Sequence, residues 1–174
     1  TERVYNKFIT TEKDKNGLCT KISFRNEENF NFAYDVVDAL GREQPDKLAM
    51  LHIANDGTER RFTFRDIKKE SGRAANYFKS LGIKKGDTVM LVLKRHAEFW
   101  FSILGLHKIG AIIIPATNQL VEHDYGYRFE AAGVSGIICT ADGQTSAQIE
   151  KAAERYDGLK HRVIVGADRD GWHN

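Results

Sequence analysis

The stretch TVMLVLKRHAEFWFSILGLHKIGAIIIPATNQL, residues 88–120, decides the fold of this chain. It opens with an apolar run at 88–93, and a run without alternation is typical of a strand covered on both faces, as in a parallel sheet. A helical pattern follows at 96–110. It is apolar almost all round, so we predict a buried helix that ends at Gly110. A second apolar run at 111–114 predicts another strand, and strand, helix, strand is the unit of an α/β sheet.

The same alternation continues downstream. The patterns predict a helix at 122–132, a strand at 136–140, a helix at 145–156 and a strand at 162–165. From residue 88 onward we therefore predict an α/β, doubly wound, mainly parallel sheet with helices on both faces. The last strand leads into GADRDGWHN without a concluding element. We expect residues 31–174 to be a partial α/β subdomain, truncated at its C-terminal end.

Residues 1–30 are polar and weakly patterned, which predicts an N-terminal arm or irregular lead-in. An amphipathic helix should follow, begun by Asn31 as its N-cap and stopped by Pro45. Its apolar face is predicted to consist of Phe32, Val36, Val37 and Leu40.

An antiparallel hairpin is predicted near residues 48–64, with its turn at Asp56-Gly57. The next helix should begin with a capping box formed by Thr63 and Asp66 and end at Gly82. Its predicted apolar stripe is Ile67, Ala74, Phe78 and Leu81.

The composition excludes several classes of function. The net charge is +2, from 26 basic and 24 acidic side chains, which does not suggest nucleic-acid binding. No apolar run approaches the roughly 20 residues needed to span a bilayer. Cys19 and Cys139 do not suggest a disulfide, and Cys139 in GIICT is predicted to be a small buried hydrophobe. We expect a cytoplasmic protein.

Most sequence signals of catalysis are absent. There is no G-x-x-x-x-G-K-[ST] loop, no G-x-G-x-x-G after a strand and no G-x-S-x-G elbow. The six histidines show no metal-ligand spacing, so we predict no metal site. Glu122 and Asp124 are better explained as helix N-terminal charges than as a catalytic carboxylate pair. Asp142 and Gly143 are predicted to form a turn.

The segment from Pro115 to Gln119 is the remaining candidate. It follows a predicted strand and precedes a helix, where ligands sit in open α/β sheets. Thr117, Asn118 and Gln119 offer donors and acceptors. From spacing alone, a plain connection is the favoured interpretation and a ligand role is the alternative.

Several segments resemble the opening part of the adenylate-forming, or AMP-binding, enzymes. The resemblance lies in FNFAYDVVDAL, in RFTFRDI through LGIKKGDTVML, in GLHKIGAIIIPATNQL and in DYGYRFEAAGVSGIICTAD. NFAYDVVD, the EFW helix, IPATNQL, YRF and the closing DGW are most similar to the medium-chain acyl-CoA synthetases. The likeness covers roughly residues 30–174.

The resemblance implies a parent ligase that joins a small carboxylic acid to ATP and then transfers the acyl group to coenzyme A, with Mg²⁺ beside the phosphates. The family's loop, lysine and acidic motifs for this chemistry do not occur here, so no catalytic residue is carried over. We expect the ATP site to lie outside this chain and the chain alone to be inactive. The resemblance implies that Gln119 faces the coenzyme A tunnel, with Thr117 as a weaker neighbour.

Two other functions stay open from the sequence. One is a stand-alone, non-catalytic α/β module that binds coenzyme A or a nucleotide. The other is an interaction domain without a ligand, for which no repeat or heptad argues.

Overall fold

The structure is a computed structural model that describes residues 4–141 and 143–174. Asp142 of the predicted Asp142-Gly143 turn, and residues 1–3 of the predicted lead-in, lie outside the described residues. The strands and helices, in chain order, are β1 (Ile9–Lys13), β2 (Cys19–Phe24), α1 (Ala39–Glu43), β3 (Leu48–Ile53), β4 (Glu59–Thr63), α2 (Phe64–Ser80), β5 (Thr88–Val92), α3 (Glu98–Ile109), β6 (Ile112–Pro115), α4 (Glu122–Ala132), β7 (Val134–Thr140), α5 (Thr145–Ala153) and β8 (His161–Val165).

A four-stranded parallel sheet forms the centre of the fold, with the order β6-β5-β7-β8. All of β5 is buried, because its side chains alternate between two apolar layers. Met90 and Val92 pack with residues of α4 and α5, whereas Val89 and Leu91 pack with residues of α2 and α3. The predicted α/β sheet with helices on both faces is confirmed.

Strand β6 lies at an edge of this sheet and continues one residue further than predicted. Pro115 does not stop the ladder: it pairs with Leu91, and the Ala116 N–H donates to the Leu91 carbonyl at 2.8 Å. Ile112 also donates to the β5 side, at the Asp87 carbonyl. By alternation the Pro115 nitrogen therefore faces the open edge, where its missing N–H costs no ladder bond.

The predicted hairpin and capping box are confirmed. β3 and β4 pair antiparallel, and Gly57 in their turn has a φ of 83°. At the start of α2, the Asp66 carboxylate accepts from the Thr63 N–H at 2.8 Å, and the Thr63 hydroxyl accepts from the Asp66 N–H at 3.3 Å. Gly82, with a φ of 93°, follows the end of this helix as predicted.

The helix after Asn31 differs from the prediction in its register. A π-helical segment, Ala33–Asp38, precedes α1, and its wider turn rotates the side chains relative to an α-helix. Ala33 and Val37 are buried as a result, whereas Phe32 is 48% exposed. Asn31 does act as the cap, since its side-chain oxygen accepts from the Ala33 N–H at 3.0 Å.

The predicted arm at residues 1–30 contains regular structure that the sequence analysis missed. A 3₁₀ turn at Val4–Lys7 leads into β1, which pairs antiparallel with β2. All side chains of these two strands are at least partly exposed, so neither strand has the buried face that a sequence alternation would mark. In the described part of the chain, no helix is long and apolar enough to cross a membrane.

Helix α3 crosses α2 at close range, and Gly105 makes this approach possible. A Cβ at Gly105 would lie 2.9 Å from the Ala74 Cβ and 2.9 Å from the Ala75 nitrogen. The prediction that α3 is buried is confirmed for most of the helix, since Ser102, Leu104, Gly105 and Leu106 are buried, although Trp100 is 52% exposed. The segment after β8 is tied to α5 by Glu150, which accepts from Arg169 at 2.6 Å and from the Trp172 indole at 2.8 Å.

A buried ion pair joins α3 to the π-helical segment. Lys108 Nζ lies 2.9 Å from Asp38 Oδ1, with side-chain exposures of 4% and 7%. The ammonium also donates to the Lys68 carbonyl at 3.3 Å and lies 5.6 Å from the ring centre of Tyr34. Lys108 lies in the last turn of α3, where its charge complements the helix dipole, and its main partner is this carboxylate.

Candidate functional site

A cavity of about 720 Å³ opens at the carboxyl ends of β5 and β6. Its walls come from residues 52–55 at the end of β3, Arg60 on β4, residues 93–96 after β5, Phe99 on α3 and residues 116–118 after β6. The sheet places it there because β5 and β6 are parallel and end at the same edge. This is the position at which α/β sheets bind ligands.

The two predicted site residues lie near this cavity but differ in their relation to it. Thr117 lines the cavity, together with Ala116 and Asn118. Gln119 is exposed and lies outside the lining, and its backbone N–H donates weakly to the Thr117 hydroxyl at 3.3 Å. The structure therefore brings Thr117 to the crevice and leaves the Gln119 side chain beside it.

The cavity lining is basic. Arg60, Lys94 and Arg95 contribute to it, and none of its described residues is an aspartate or glutamate. The sequence analysis missed this feature, although Lys94-Arg95-His96 directly follows a predicted strand. What could not be read from the sequence is that the hairpin brings Arg60 to the same place.

His52 links the two sides of this lining. Its Nε2 lies 3.1 Å from the Arg95 carbonyl, which can only accept, so Nε2 carries the proton. Its Nδ1 is then free to accept from Arg60 Nη2, at 3.4 Å. This neutral tautomer satisfies both contacts and holds the β4 arginine beside the segment that follows β5.

The backbone at the start of that segment is unusual. Lys94 has a φ of 47°, in the left-handed region that residues with a side chain seldom adopt. Such conformations persist where the surrounding structure enforces them, and they are concentrated at functional sites. Here the turn redirects the chain from the sheet into α3, with Arg95 and His96 at the cavity.

The start of α4 carries charges with a structural role, as predicted. The Asp124 carboxylate accepts from the Val121 N–H at 3.3 Å, and Gln148 from α5 accepts from the Glu122 N–H at 2.8 Å. Val121 has no side chain able to cap this helix, so these neighbours satisfy its first N–H groups. Among the described residues, no group of three or more His, Cys, Asp or Glu side chains could hold a metal ion.

The buried thiol of Cys139 does not support nucleophilic chemistry. Cys139 is fully buried, and burial raises the pKa of its thiol to about 12, so it stays protonated. This confirms the prediction of a small buried hydrophobe. Cys19 is exposed, and both thiols are free.

Comparison with known proteins identifies the family. The family model described as AMP-binding enzyme matches residues 37–173. The chain belongs to the AMP-binding enzyme family. Rat acyl-coenzyme A synthetase ACSM5, mitochondrial, is 35% identical over 154 residues, which are 84% of this chain and 26% of that protein. The human ACSM5 protein is 32% identical over the same shares of the two chains.

Solved structures of the family share the fold. The anthranilate CoA ligase AuaEII, solved with anthranoyl-AMP, is 26% identical and superposes with a TM-score of 0.68 over 83% of this chain and 27% of that chain. An acyl-CoA synthetase from Brucella canis has a TM-score of 0.71 at 24% identity, over 83% of this chain and 26% of its own. The chain thus spans about a quarter of the length of the relatives that it matches. The resemblance to acyl-CoA synthetases is confirmed.

Proposed function

We propose that this chain is the N-terminal part of an AMP-forming acid–CoA ligase. The observation that carries the proposal is the family match over 37–173, joined by sequence likeness to acyl-CoA synthetases over 84% of the chain. The reaction would convert a carboxylic acid and ATP to an acyl-adenylate and pyrophosphate, after which the coenzyme A thiol displaces AMP. A link with fatty acid metabolism belongs to the same proposal.

The chain's own contribution would be one wall of the coenzyme A site. Thr117 and Asn118 present polar groups at the cavity, and Gln119 follows directly in an exposed position. A hydroxyl and two amides can bond to the amide and phosphate oxygens of coenzyme A. ATP, Mg²⁺ and the acid would be held by other parts of the ligase, as expected from the lack of the family's catalytic motifs in this sequence.

A full-length protein that contains this chain allows a sharp test of Gln119. Gln119→Ala should lower kcat/KM for coenzyme A by about tenfold, the effect of losing roughly one hydrogen bond, and leave ATP–pyrophosphate exchange with octanoate unchanged. Gln44→Ala, at an exposed position after α1, is the matched control and should change neither rate. Equal loss of both half-reactions would contradict the assigned role.

The isolated chain should show no ATP–pyrophosphate exchange above buffer with octanoate, butyrate or benzoate. Turnover by the chain alone would refute the proposal that other parts of the ligase carry out the adenylation step. The cytoplasmic location stays a prediction, and the ACSM5 relatives are described as mitochondrial. Free thiols suit any reducing compartment, so Cys19 and Cys139 do not choose between the two.

A further inference from the structure

A second cavity, of about 480 Å³, is lined by the 3₁₀ turn, the open end of the β1–β2 hairpin and the start of the π-helical segment. It shares no lining residue with the cavity at the carboxyl ends of β5 and β6. Eight of its described lining residues are apolar, and five of these are aromatic. Small-molecule sites have volumes of about 300–1,000 Å³ and apolar walls with a few polar groups, so the size and the lining of this cavity suit a small ligand.

The backbone brings aromatic rings to this cavity from two sides. Ile9 pairs with Phe24 across the hairpin, so the two side chains lie on the same face of the ladder. On the other side, the π-helical register that buries Ala33 and Val37 leaves Phe32 at the cavity. Phe24 is 66% exposed and Phe32 is 48% exposed, so both rings keep apolar surface that a bound side chain can cover.

The lining already contains one aromatic pair that a ligand ring can extend. Phe8 and Phe30 lie edge to face, with ring centres 5.0 Å apart. Contacts between aromatic rings stabilise a complex beyond the apolar area that they bury, so these walls favour a ligand with an aromatic or large aliphatic group. Exposed apolar patches on water-soluble chains commonly mark binding surfaces.

Two opposite charges line the same cavity without pairing with each other. Arg25 and Glu27 are both exposed, and within the described part of the chain neither has an opposite charge within ion-pair distance. A ligand with one charge gains one attractive contact here and is repelled by the other group. A ligand that complements both groups therefore carries one positive and one negative charge beside its apolar part.

We propose that this cavity binds a free α-amino acid with a large apolar side chain, such as phenylalanine. Its carboxylate pairs with Arg25, its ammonium pairs with Glu27, and its ring lies among the aromatic side chains of the lining. A guanidinium binds a carboxylate through two parallel hydrogen bonds, which fixes the orientation of the ligand. Both charges of the amino acid are present at neutral pH. Binding here is independent of the proposed ligase reaction, because it uses other residues and is measured without turnover.

The test is an NMR titration of the isotope-labelled 174-residue chain with L-phenylalanine at neutral pH and low ionic strength. We expect saturable, one-to-one chemical-shift changes that map to the lining residues and weaken as salt is added. Three analogues each remove one group of the ligand: 3-phenylpropanoate lacks the ammonium, phenethylamine lacks the carboxylate, and glycine lacks the ring. The first two should bind more weakly than phenylalanine by about threefold or more, and glycine should show no saturable binding.

Substitutions in the lining separate the two charges. Arg25→Gln should weaken phenylalanine binding by about threefold to tenfold and should not weaken phenethylamine binding, since the amine has no carboxylate for Arg25. Glu27→Gln should weaken phenylalanine binding to a similar degree and should not weaken 3-phenylpropanoate binding. Glu28→Gln is the matched control, because Glu28 is exposed and lies outside the lining, and its affinity should stay within about twofold of wild type.

Three results would overturn the proposal. The first is the absence of saturable shifts with phenylalanine up to about 10 mM, weaker than any specific site. The second is binding of either singly charged analogue as tightly as phenylalanine, and the third is a loss of affinity in Glu28→Gln equal to that in Glu27→Gln. Dispersed NMR spectra show that each variant is folded. Should a variant fail to fold, the analogue series decides the question on the unaltered chain.

Discussion

Replacing Lys108 by methionine tests the buried ion pair between α3 and the π-helical segment. Methionine keeps most of the length and packing of the lysine side chain and removes the charge. Asp38 then loses the ammonium 2.9 Å away, and with 7% side-chain exposure its carboxylate has little access to water. The Lys68 carbonyl also loses a donor.

The expected cost is large. Removing one partner of a buried ion pair typically costs about 3–5 kcal/mol, because the other charge stays buried without compensation. That is a substantial part of the roughly 5–15 kcal/mol by which domains of this size are stable. With an m-value of about 2 kcal/mol per molar urea, the unfolding midpoint should fall by about 1.5–2.5 M.

Urea unfolding at neutral pH, followed by circular dichroism, measures this shift. Lys69→Met is the control, since Lys69 is exposed on α2 and its loss should change stability by less than about 0.5 kcal/mol. The double variant Asp38→Leu/Lys108→Met should recover to within about 2 kcal/mol of wild type, because no uncompensated charge remains. The reasoning is refuted if Lys108→Met behaves like Lys69→Met, or if the two single costs simply add in the double variant.

Two further predictions concern packing and pH. Gly105→Ala should destabilise the chain by about 1–3 kcal/mol, because the added Cβ overlaps with α2. Gly72→Ala is the control: a Cβ there meets nothing within 4 Å, so the change should stabilise the chain by about 0.5–1 kcal/mol. Thermal melts in which the two variants shift the unfolding temperature in the same direction would contradict this. The hydrogen bonds from Arg169 and then Trp172 lower the pKa of Glu150 to about 2, so its stabilisation is present above the unfolded pKa near 4.5 and is lost as the pH falls toward 2. Glu150→Gln should therefore lower the free energy of unfolding by about 1–2 kcal/mol at pH 7, a value reduced because Glu150 is partly exposed. The difference in urea midpoint between the variant and wild type should shrink as the pH falls from 4.5 to 2.

The parts of the fold that sequence predicts here are those with one dominant local signal. β5 is an apolar run without alternation, α2 begins with a capping box, and Gly57 marks the hairpin turn; each follows from chemistry within a few residues. The π-helical turn at Ala33–Asp38 escaped prediction because the same apolar residues fit an α-helix until packing chooses between them.

In the candidate site, too, features with a local sequence signal could be predicted and features that depend on tertiary packing could not. Position after a strand was enough to mark Thr117, Asn118 and Gln119 as candidates, although a plain connection was the favoured interpretation, and Thr117 and Asn118 line the cavity. Arg60 could not be recognised, because it reaches the cavity only through the pairing of β3 with β4 and the placement of that hairpin over the sheet. The ion-pair partner of Lys108 could not be predicted either, since Asp38 is distant in sequence and its burial is a result of tertiary packing.

The order of strands in the sheet also bears on how the chain folds as it leaves the ribosome. β5 is made before both of its neighbours, and the second of them, β7, begins only at Val134. The hairpins β1–β2 and β3–β4, the contact of α2 with α3 and the pairing of β5 with β6 can form from residues already synthesised, but the second edge of the apolar strand at 88–92 must wait for β7. A nascent chain that pauses before residue 134 thus displays a strand with high aggregation propensity, for which chaperone contact is the natural protection.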